Sequence, residues 1–141
     1  MQQRAATAEE MVEMGKTFAA NACPGDVFAL VGGLGAGKTH WTKGFVAGCG
    51  ASAEVTSPTF GLVHEYPDGR LPLAHLDFYR LGSAAELVAL GWDELLEQDG
   101  VIIAEWADKF PELLPEGTCW LRFEIEPDGS RIVSAFQPDA H

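Results

Sequence analysis

The chain has 141 residues, of which 47% are hydrophobic and 21% are charged, and its formal net charge is -12. This length fits one globular domain over residues 1–141, and the longest apolar runs fall far short of the ~20 residues that a membrane helix needs. An acidic chain is also a poor surface for wrapping nucleic acid, because duplex affinity depends on Lys and Arg that neutralise phosphates.

From the N-terminal segment and the cysteines, we expect a cytoplasmic protein. Residues 1–13 carry one Arg and three Glu without an apolar segment, which is typical of neither a secretory signal nor a transit peptide. The three cysteines, Cys23, Cys49 and Cys119, have no C-x-x-C spacing. Neither a disulfide framework nor a zinc site is therefore expected.

Helical and strand patterns alternate along the chain. Thr7 to Glu10 form a capping box that begins a helix running to about Asn21, the apolar run 27–31 predicts a buried strand, and a helix over 38–47 follows. Strands over 62–66 and 73–79 follow, joined by a turn at 67–70, and a second capping box at Ser83 to Glu86 begins another helix. The later elements are a short helix over 92–98, a strand over 101–104, and a hairpin of 120–126 with 131–136. This order predicts an α/β sandwich with a mostly parallel central sheet, antiparallel hairpin additions and flanking helices.

A glycine-rich segment stands between the first predicted strand and the helix that follows it. Residues 32–39 fit the pattern G-x-x-x-x-G-K-[ST]. Glycines let successive N–H groups turn toward one point, and the helix N-terminus adds positive potential, so the loop forms a nest for anions. In such a P-loop, Lys38 reaches the β and γ phosphates of a nucleotide and the Thr39 hydroxyl binds the accompanying Mg²⁺. The segment therefore predicts binding of a nucleoside triphosphate.

Two carboxylates follow apolar strand patterns and are candidates for the metal and for hydrolysis. Asp77 ends the run Leu73-Ala74-His75-Leu76, and Glu105 ends the run Val101 to Ala104. In an open α/β sheet, ligands bind beyond the carboxyl ends of the parallel strands. Either acid is therefore expected beside the metal bound by Thr39, although each is also open to interpretation as an exposed acid at a strand end.

Other polar and aromatic residues allow two interpretations. A hydroxyl of the segment from Thr56 to Thr59 would touch Mg²⁺ or the γ-phosphate, or else cap a local turn. Three histidines, His40, His64 and His75, lack a metal-like spacing and are interpreted as packing or surface residues. Because Trp106 directly follows Glu105, strand alternation puts its side chain on the other face of the strand. Packing in the core is the default interpretation there, and a role in the wall of the site is the alternative.

Taken together, four segments resemble the TsaE (YjeE) family of bacterial ATPases. They are the P-loop, Thr56-Ser57-Pro58-Thr59-Phe60, His75-Leu76-Asp77-Phe78-Tyr79-Arg80-Leu81, and Glu105-Trp106. The resemblance spans roughly residues 9–136. It implies a Mg²⁺-dependent ATPase that works with partner proteins of the TsaB and TsaD type to make threonylcarbamoyladenosine next to the anticodon of tRNA, contacting the tRNA through the complex.

The resemblance also implies roles for individual residues. Lys38 and the loop residues hold phosphate, Thr39 and Glu105 bind Mg²⁺ with Asp77 nearby to assist hydrolysis, and Trp106 becomes a site residue. The implied nucleotide-binding set is Gly33, Leu34, Gly35, Ala36, Gly37, Lys38, Thr39, His40, Thr59, Trp106 and Arg131. Two positions depart from the family: Gly33 replaces an Asp or Glu, and His40 stands where a second Thr is common.

Two other classes of protein remain as alternatives. A P-loop kinase of a small metabolite would close a lid whose arginines neutralise the transferred phosphate, but Arg80 alone of the arginines stands near predicted chemistry. A module that docks to partners when nucleotide binds, without hydrolysis, is the other alternative. A GTPase is disfavoured because no N-K-x-D segment occurs in the chain. The isolated ATPase is expected to turn over slowly and to be stimulated by its partners.

Overall fold

Seven strands and four α-helices make up the described part of the chain, residues 2–33, 35–51, 63–67 and 69–138 of a computed structural model. The strands are β1 (Gln2–Ala5), β2 (Val27–Gly32), β3 (Val63–Tyr66), β4 (Leu73–Asp77), β5 (Val101–Glu105), β6 (Cys119–Ile125) and β7 (Arg131–Phe136). The helices are α1 (Ala8–Ala20), α2 (Lys38–Gly48), α3 (Ala84–Ala89) and α4 (Trp92–Glu97). Short 3-10 helices cover Phe78–Arg80, Ala107–Lys109 and Pro111–Leu113. Among the described residues, no helix is both long and apolar enough to cross a membrane.

The strands form one mixed sheet in the order β1-β7-β6-β2-β5-β4-β3. The four central strands β6, β2, β5 and β4 run parallel, while β3 is added antiparallel at one edge and β7 and β1 at the other. The predicted α/β class, with a parallel centre and antiparallel hairpin additions, is therefore confirmed.

Two apolar clusters cover the two faces of the sheet. One face packs against α1 and α2 through aromatic rings, with Phe28, Trp41 and Phe45 having centroids 5.1–5.7 Å apart. The other face packs against α3 and α4, where Phe78 and Trp92 are fully buried. Because side chains alternate along a strand, the apolar runs of β2 and β5 supply both faces at once.

The capping residues that the sequence predicted begin their helices. The Thr7 side chain accepts a hydrogen bond from the backbone N–H of Glu10 and begins α1, and the Ser83 side chain accepts from Glu86 and begins α3. Both are N-cap bonds of the capping-box pattern. The boundaries of these helices therefore follow from local chemistry.

The structure differs from the sequence prediction at two places. The strand predicted over 73–79 ends at Asp77, because the Asp77 side chain accepts a hydrogen bond from the Tyr79 N–H and begins a 3-10 turn. The strand β1 was not predicted, since its residues are mostly polar, and it is held by pairing with β7. Residue 62, the predicted start of the strand observed as β3, lies outside the described residues.

Helices α1 and α2 approach so closely that glycine is required at their contact. A Cβ built at Gly44 of α2 would lie 1.8 Å from the carbonyl oxygen of Val12, and one at Gly15 of α1 would lie 2.0 Å from that of Trp41. Both obstacles are backbone atoms, which cannot rotate away. The position of α2, and of the loop that precedes it, therefore depends on these two glycines.

Substituting Gly44 by Ala is expected to destabilise the protein. Alanine has a higher helix propensity than glycine, which favours the folded state by about 1 kcal/mol. Separating two packed helices to relieve a backbone clash costs about 3 kcal/mol or more, so the free energy of unfolding should fall. Urea unfolding measures the difference. The matched control is Gly33→Ala, where a Cβ meets nothing within 4 Å, and its free energy of unfolding should stay within about 1 kcal/mol of wild type. Equal stability of the two variants would contradict the close approach.

Candidate functional site

A cavity of about 530 Å³ opens where β2, β4 and β5 end. Its wall combines the P-loop residues Gly35 to His40 with the strand-end carboxylates Asp77 and Glu105. The N-terminal segment 5–8 and the final hairpin at Gly129 and Arg131 also line the cavity. The sheet thus brings residues from both halves of the sequence to one edge, as ligand sites of open α/β sheets require.

The P-loop has the backbone of an anion-binding nest. Gly35 and Gly37 have φ angles of 77° and 102°, in the left-handed region that glycine adopts without strain. Helix α2 begins at Lys38, and Gly37 provides no side-chain cap for its first N–H groups. A helix N-terminus whose amides lack a side-chain cap is a ready anion site.

Lys38 is a buried cation at the inner end of this loop. It is 5% exposed, its Nζ donates to the Gly32 carbonyl oxygen at 2.5 Å, and it lies 3.8 Å from the centroid of the Trp106 ring. Burial lowers the pKa of Lys38, and the negative charges of Glu105, Asp108 and Asp77 partly oppose that shift. The ammonium is therefore held by an aromatic face, a carbonyl and nearby carboxylates, with the P-loop beside it.

The two carboxylates predicted from strand ends lie next to each other. Asp77 of β4 pairs in register with Glu105 of β5, so the two side chains share the sheet face that α2 covers. Burial raises the pKa of Asp77 most, with a smaller contribution from the Glu105 charge, while the Tyr79 N–H and Arg80 lower it. Arg80 Nε lies 3.7 Å from Asp77 Oδ2.

Glu105 is bound by a histidine that the sequence left as a packing or surface residue. His75 is fully buried, and its Nε2 lies 2.5 Å from Glu105 Oε2. Of the two interpretations that the sequence left open, the buried position of His75 agrees with packing, but its contact with Glu105 was not predicted. Strand spacing offered one signal, since His75 stands two residues before Asp77 and so shares its face.

Trp106 lines the cavity, a position that strand alternation alone does not predict. Strand β5 ends at Glu105, and Trp106 has a φ of 58°, the one non-glycine residue with positive φ in the described part of the chain. This left-handed turn aims the ring at Lys38, while part of the side chain packs against the apolar cluster under α3 and α4. The Tyr79 ring packs against the Trp106 ring, with their centroids 4.9 Å apart. The sequence analysis did not single out Tyr79 for the site.

Arg131 ties the final hairpin to the P-loop. Its Nε and Nη2 donate to the Gly35 carbonyl oxygen at 3.1 and 3.0 Å, and its Nη1 donates to the Gly129 carbonyl oxygen. The arginine that the family resemblance placed near the nucleotide thus contacts the loop backbone directly. It thereby holds the peptide at Gly35, which also lines the cavity.

The remaining predicted residues fall into two groups. Thr39 and the exposed His40 line the cavity, while Gly33 is exposed at the start of the loop. Leu34 and the segment from Thr56 to Thr59, including Thr59, lie outside the described residues. In the described ranges, no group of three or more His, Cys, Asp or Glu side chains could hold a metal by itself.

A strand, a glycine loop and a helix at the carboxyl edge of a parallel sheet define the class of P-loop nucleotide-binding proteins. Within that class, residues 5–133 match the family model described as threonylcarbamoyl adenosine biosynthesis protein TsaE. The chain belongs to the TsaE family.

Relatives and a solved structure agree with this assignment. The tRNA threonylcarbamoyladenosine biosynthesis protein TsaE of Bacillus subtilis is 47% identical over 93% of this chain and 82% of its own. The protein of the same name from Treponema pallidum is 40% identical over 78% of this chain and 81% of its own. The crystal structure of Bacillus subtilis YdiB superposes with a TM-score of 0.84 at 38% identity, covering 96% of this chain and 83% of YdiB.

Replacing Asp77 by Asn is expected to stabilise the nucleotide-free protein at neutral pH. A carboxyl whose pKa is raised by folding destabilises the folded state when it ionises, and this penalty disappears as the pH falls below its ordinary value of 3.8. The Asn oxygen still accepts the Tyr79 N–H. Because Asp77 is partly exposed, solvent screening limits the gain to well below about 1 kcal/mol, or about 1–3 °C in Tm.

Thermal unfolding as a function of pH measures this effect. The Tm advantage of Asp77→Asn should be largest at neutral pH and should shrink as the pH falls toward 3.8. An advantage that grows in acid would contradict the sign of the shift.

Replacing Arg131 by Met is expected to loosen the P-loop. The change removes two hydrogen bonds to the Gly35 carbonyl, each worth about 1 kcal/mol, so local opening should become about 10- to 30-fold more frequent. Amide hydrogen exchange in a peptide covering 33–39 measures this opening. The matched control is Arg122→Met on β6, whose guanidinium lies over the Phe136 ring instead. Equal exchange in both variants would show that Arg131 does not hold the loop.

Proposed function

We propose that the protein is a Mg²⁺-dependent ATPase that serves the formation of threonylcarbamoyladenosine next to the anticodon of tRNA. The observation that carries the proposal is the convergence of the buried Lys38 and Glu105 and the partly exposed Asp77 on one cavity beside the P-loop. The names of its relatives, which are tRNA threonylcarbamoyladenosine biosynthesis proteins, supply the process. Residues 1–141 would form a single ATPase domain.

The loop and Lys38 would bind the triphosphate. Helix α2 begins at the cavity wall after Gly37, which has no side chain to cap it, and the buried Lys38 lines the same cavity. Bases are scarce in a chain of net charge -12, yet Lys38, Arg80 and Arg131 all line this cavity. A local cluster of cations on an acidic protein favours a small polyphosphate over an extended nucleic acid. Contact with tRNA would accordingly be shared with partner proteins.

The oxygen donors beside the P-loop fit magnesium. Mg²⁺ is usually bound through one or two carboxylates together with substrate phosphates, and the described residues offer two carboxylates rather than a complete protein cage. Thr39 and Glu105 would hold the ion, with Asp77 next to Glu105. Bound there, magnesium would neutralise charge on the β and γ phosphates.

Asp77 would act on the attacking water. Its Oδ1 is occupied by the Tyr79 N–H, and the raised pKa of the carboxyl makes Oδ2 a better proton acceptor than an ordinary surface aspartate. Glu105 is hydrogen-bonded to His75 and has less freedom to move, which suits a residue that holds the magnesium ion in place. Trp106 would close the inner wall and keep water away from the Lys38 ammonium.

Partner proteins of the TsaB and TsaD type would complete the active site. Fast phosphoryl transfer requires cations on the transferred group, and the two arginines that line the cavity are engaged elsewhere. Arg80 lies beside Asp77, and Arg131 is bonded to backbone carbonyls. The isolated protein should therefore hydrolyse ATP slowly.

Phosphate release from ATP by the purified protein tests the proposal, first alone and then with TsaB, TsaD and unmodified tRNA. We expect slow turnover alone, an increase of about tenfold or more with the partners, and modified tRNA as product. Lys38→Ala should abolish ATP turnover and tRNA modification, since it removes the buried cation that the phosphates require. Glu105→Gln should retain ATP binding but lose about 100-fold or more in turnover.

Three other outcomes would redirect the assignment. Phosphate that appears on a small metabolite rather than in solution would indicate a kinase. ATP binding without any turnover, even with partners, would indicate a docking module. Full-speed turnover by the isolated protein would contradict the role given to the partners.

A further inference from the structure

We propose that His75 is a positioning residue that fixes the Glu105 carboxylate and thereby sets the affinity of the site for a divalent cation. This inference rests on the proposed function, because it assigns Glu105 to the magnesium ion. It concerns a residue that lies one step inside the cavity wall and does not line the cavity itself.

The strand register places His75 directly behind the two carboxylates. On β4, His75 and Asp77 are two residues apart and share a face, and their partners on β5 are Ile103 and Glu105. His75 is therefore diagonal to Glu105 across one strand pair, a separation that a histidine ring can span. His75 lies two residues before the end of β4 and, unlike Asp77 and Glu105, does not line the cavity.

The contact between them is short and buried. His75 Nε2 lies 2.5 Å from Glu105 Oε2, and the two side chains are 1% and 8% exposed. A carboxylate oxygen can only accept, so Nε2 carries the hydrogen and donates it. Hydrogen bonds to an ionised acceptor are shorter and stronger than neutral ones. Glu105 Oε2 is thus held in place, and Oε1 is the oxygen available to a cation.

Packing alone does not explain a histidine at this position. His75 Nδ1 is buried and has no hydrogen-bond partner among the described residues. Burying a polar atom without a partner is unfavourable, so an apolar side chain would fill the same space better. The bond to Glu105 is the one described polar contact that the ring gains in return.

Orienting a ligand in advance favours the bound state of a metal. A carboxylate that is free to rotate loses that freedom on binding a cation, whereas one already fixed by a second group does not. Outer residues of this kind typically change metal affinity by about 10- to 100-fold. The triphosphate itself would contact the P-loop, so binding of nucleotide without metal should not depend on His75.

Two affinities, measured on the full chain, separate this role from a structural one. The first is the affinity for Mn²⁺, followed by electron paramagnetic resonance in the presence of a nonhydrolysable ATP analogue. The second is the affinity for the same analogue in EDTA. His75→Phe should weaken Mn²⁺ binding by about 10- to 100-fold and leave the metal-free affinity within about twofold.

Two further variants complete the design. His75→Gln places an amide N–H near the position of Nε2 and should restore Mn²⁺ binding to within a few fold of wild type. Ile103→Val changes packing opposite His75 without touching the hydrogen bond, and it should leave both affinities unchanged. If His75→Phe does not fold, His75→Asn replaces it, because its amide is too short to reach Glu105 and should show the same loss.

The outcomes distinguish this inference from the proposed function. Wild-type affinity for Mn²⁺ in His75→Phe or His75→Asn, or an equal loss in Ile103→Val, would overturn the role of His75 alone. A wild-type protein that binds the analogue equally well with and without divalent cation would overturn the magnesium site, and the role of His75 with it.

Discussion

The hydrogen bonds that place β5 between β2 and β4 determine where the charged groups of the site lie. All three strands are parallel, so their carboxyl ends meet at one edge of the sheet. The P-loop follows β2, Asp77 ends β4 and Glu105 ends β5. A shift of β5 by one residue would turn Glu105 to the opposite face and separate it from both His75 and Lys38.

The charged groups gathered at this edge of the sheet have opposite signs, and burial disfavours the charge on Lys38 and on Asp77. The two charges lie close enough to offset part of that cost. The Trp106 ring, which a left-handed turn brings over Lys38 Nζ, further stabilises the charged ammonium. Such a site is balanced for ligands that bring both negative phosphate and positive metal, since each would meet a group of opposite charge. Under the proposed function, stability and activity would therefore compete at Asp77.

Local sequence predicts much of this fold but little of its long-range contacts. The P-loop, the caps Thr7 and Ser83 and the buried strand before Glu105 have strong local signals, and the structure contains each of them. The strand β1 has no apolar pattern, because its partner β7 lies some 130 residues away in the chain and provides its stability. The contacts of His75 and Arg131 depend on strand register and on how the last hairpin meets the loop. Trp106 departs from strand alternation because one backbone angle is left-handed.

One crystallographic measurement tests the central claim, that the P-loop and the two strand-end carboxylates form a single site for nucleotide and metal. The protein would be crystallised with Mn²⁺ and a nonhydrolysable ATP analogue, and the metal located by its anomalous scattering. We expect one peak in direct contact with the Thr39 hydroxyl, a carboxylate oxygen of Glu105 and the β and γ phosphates, with Lys38 turned toward those phosphates. Phosphates bound in the P-loop with the metal distant from both Glu105 and Asp77, or a nucleotide bound outside the cavity, would contradict the claim.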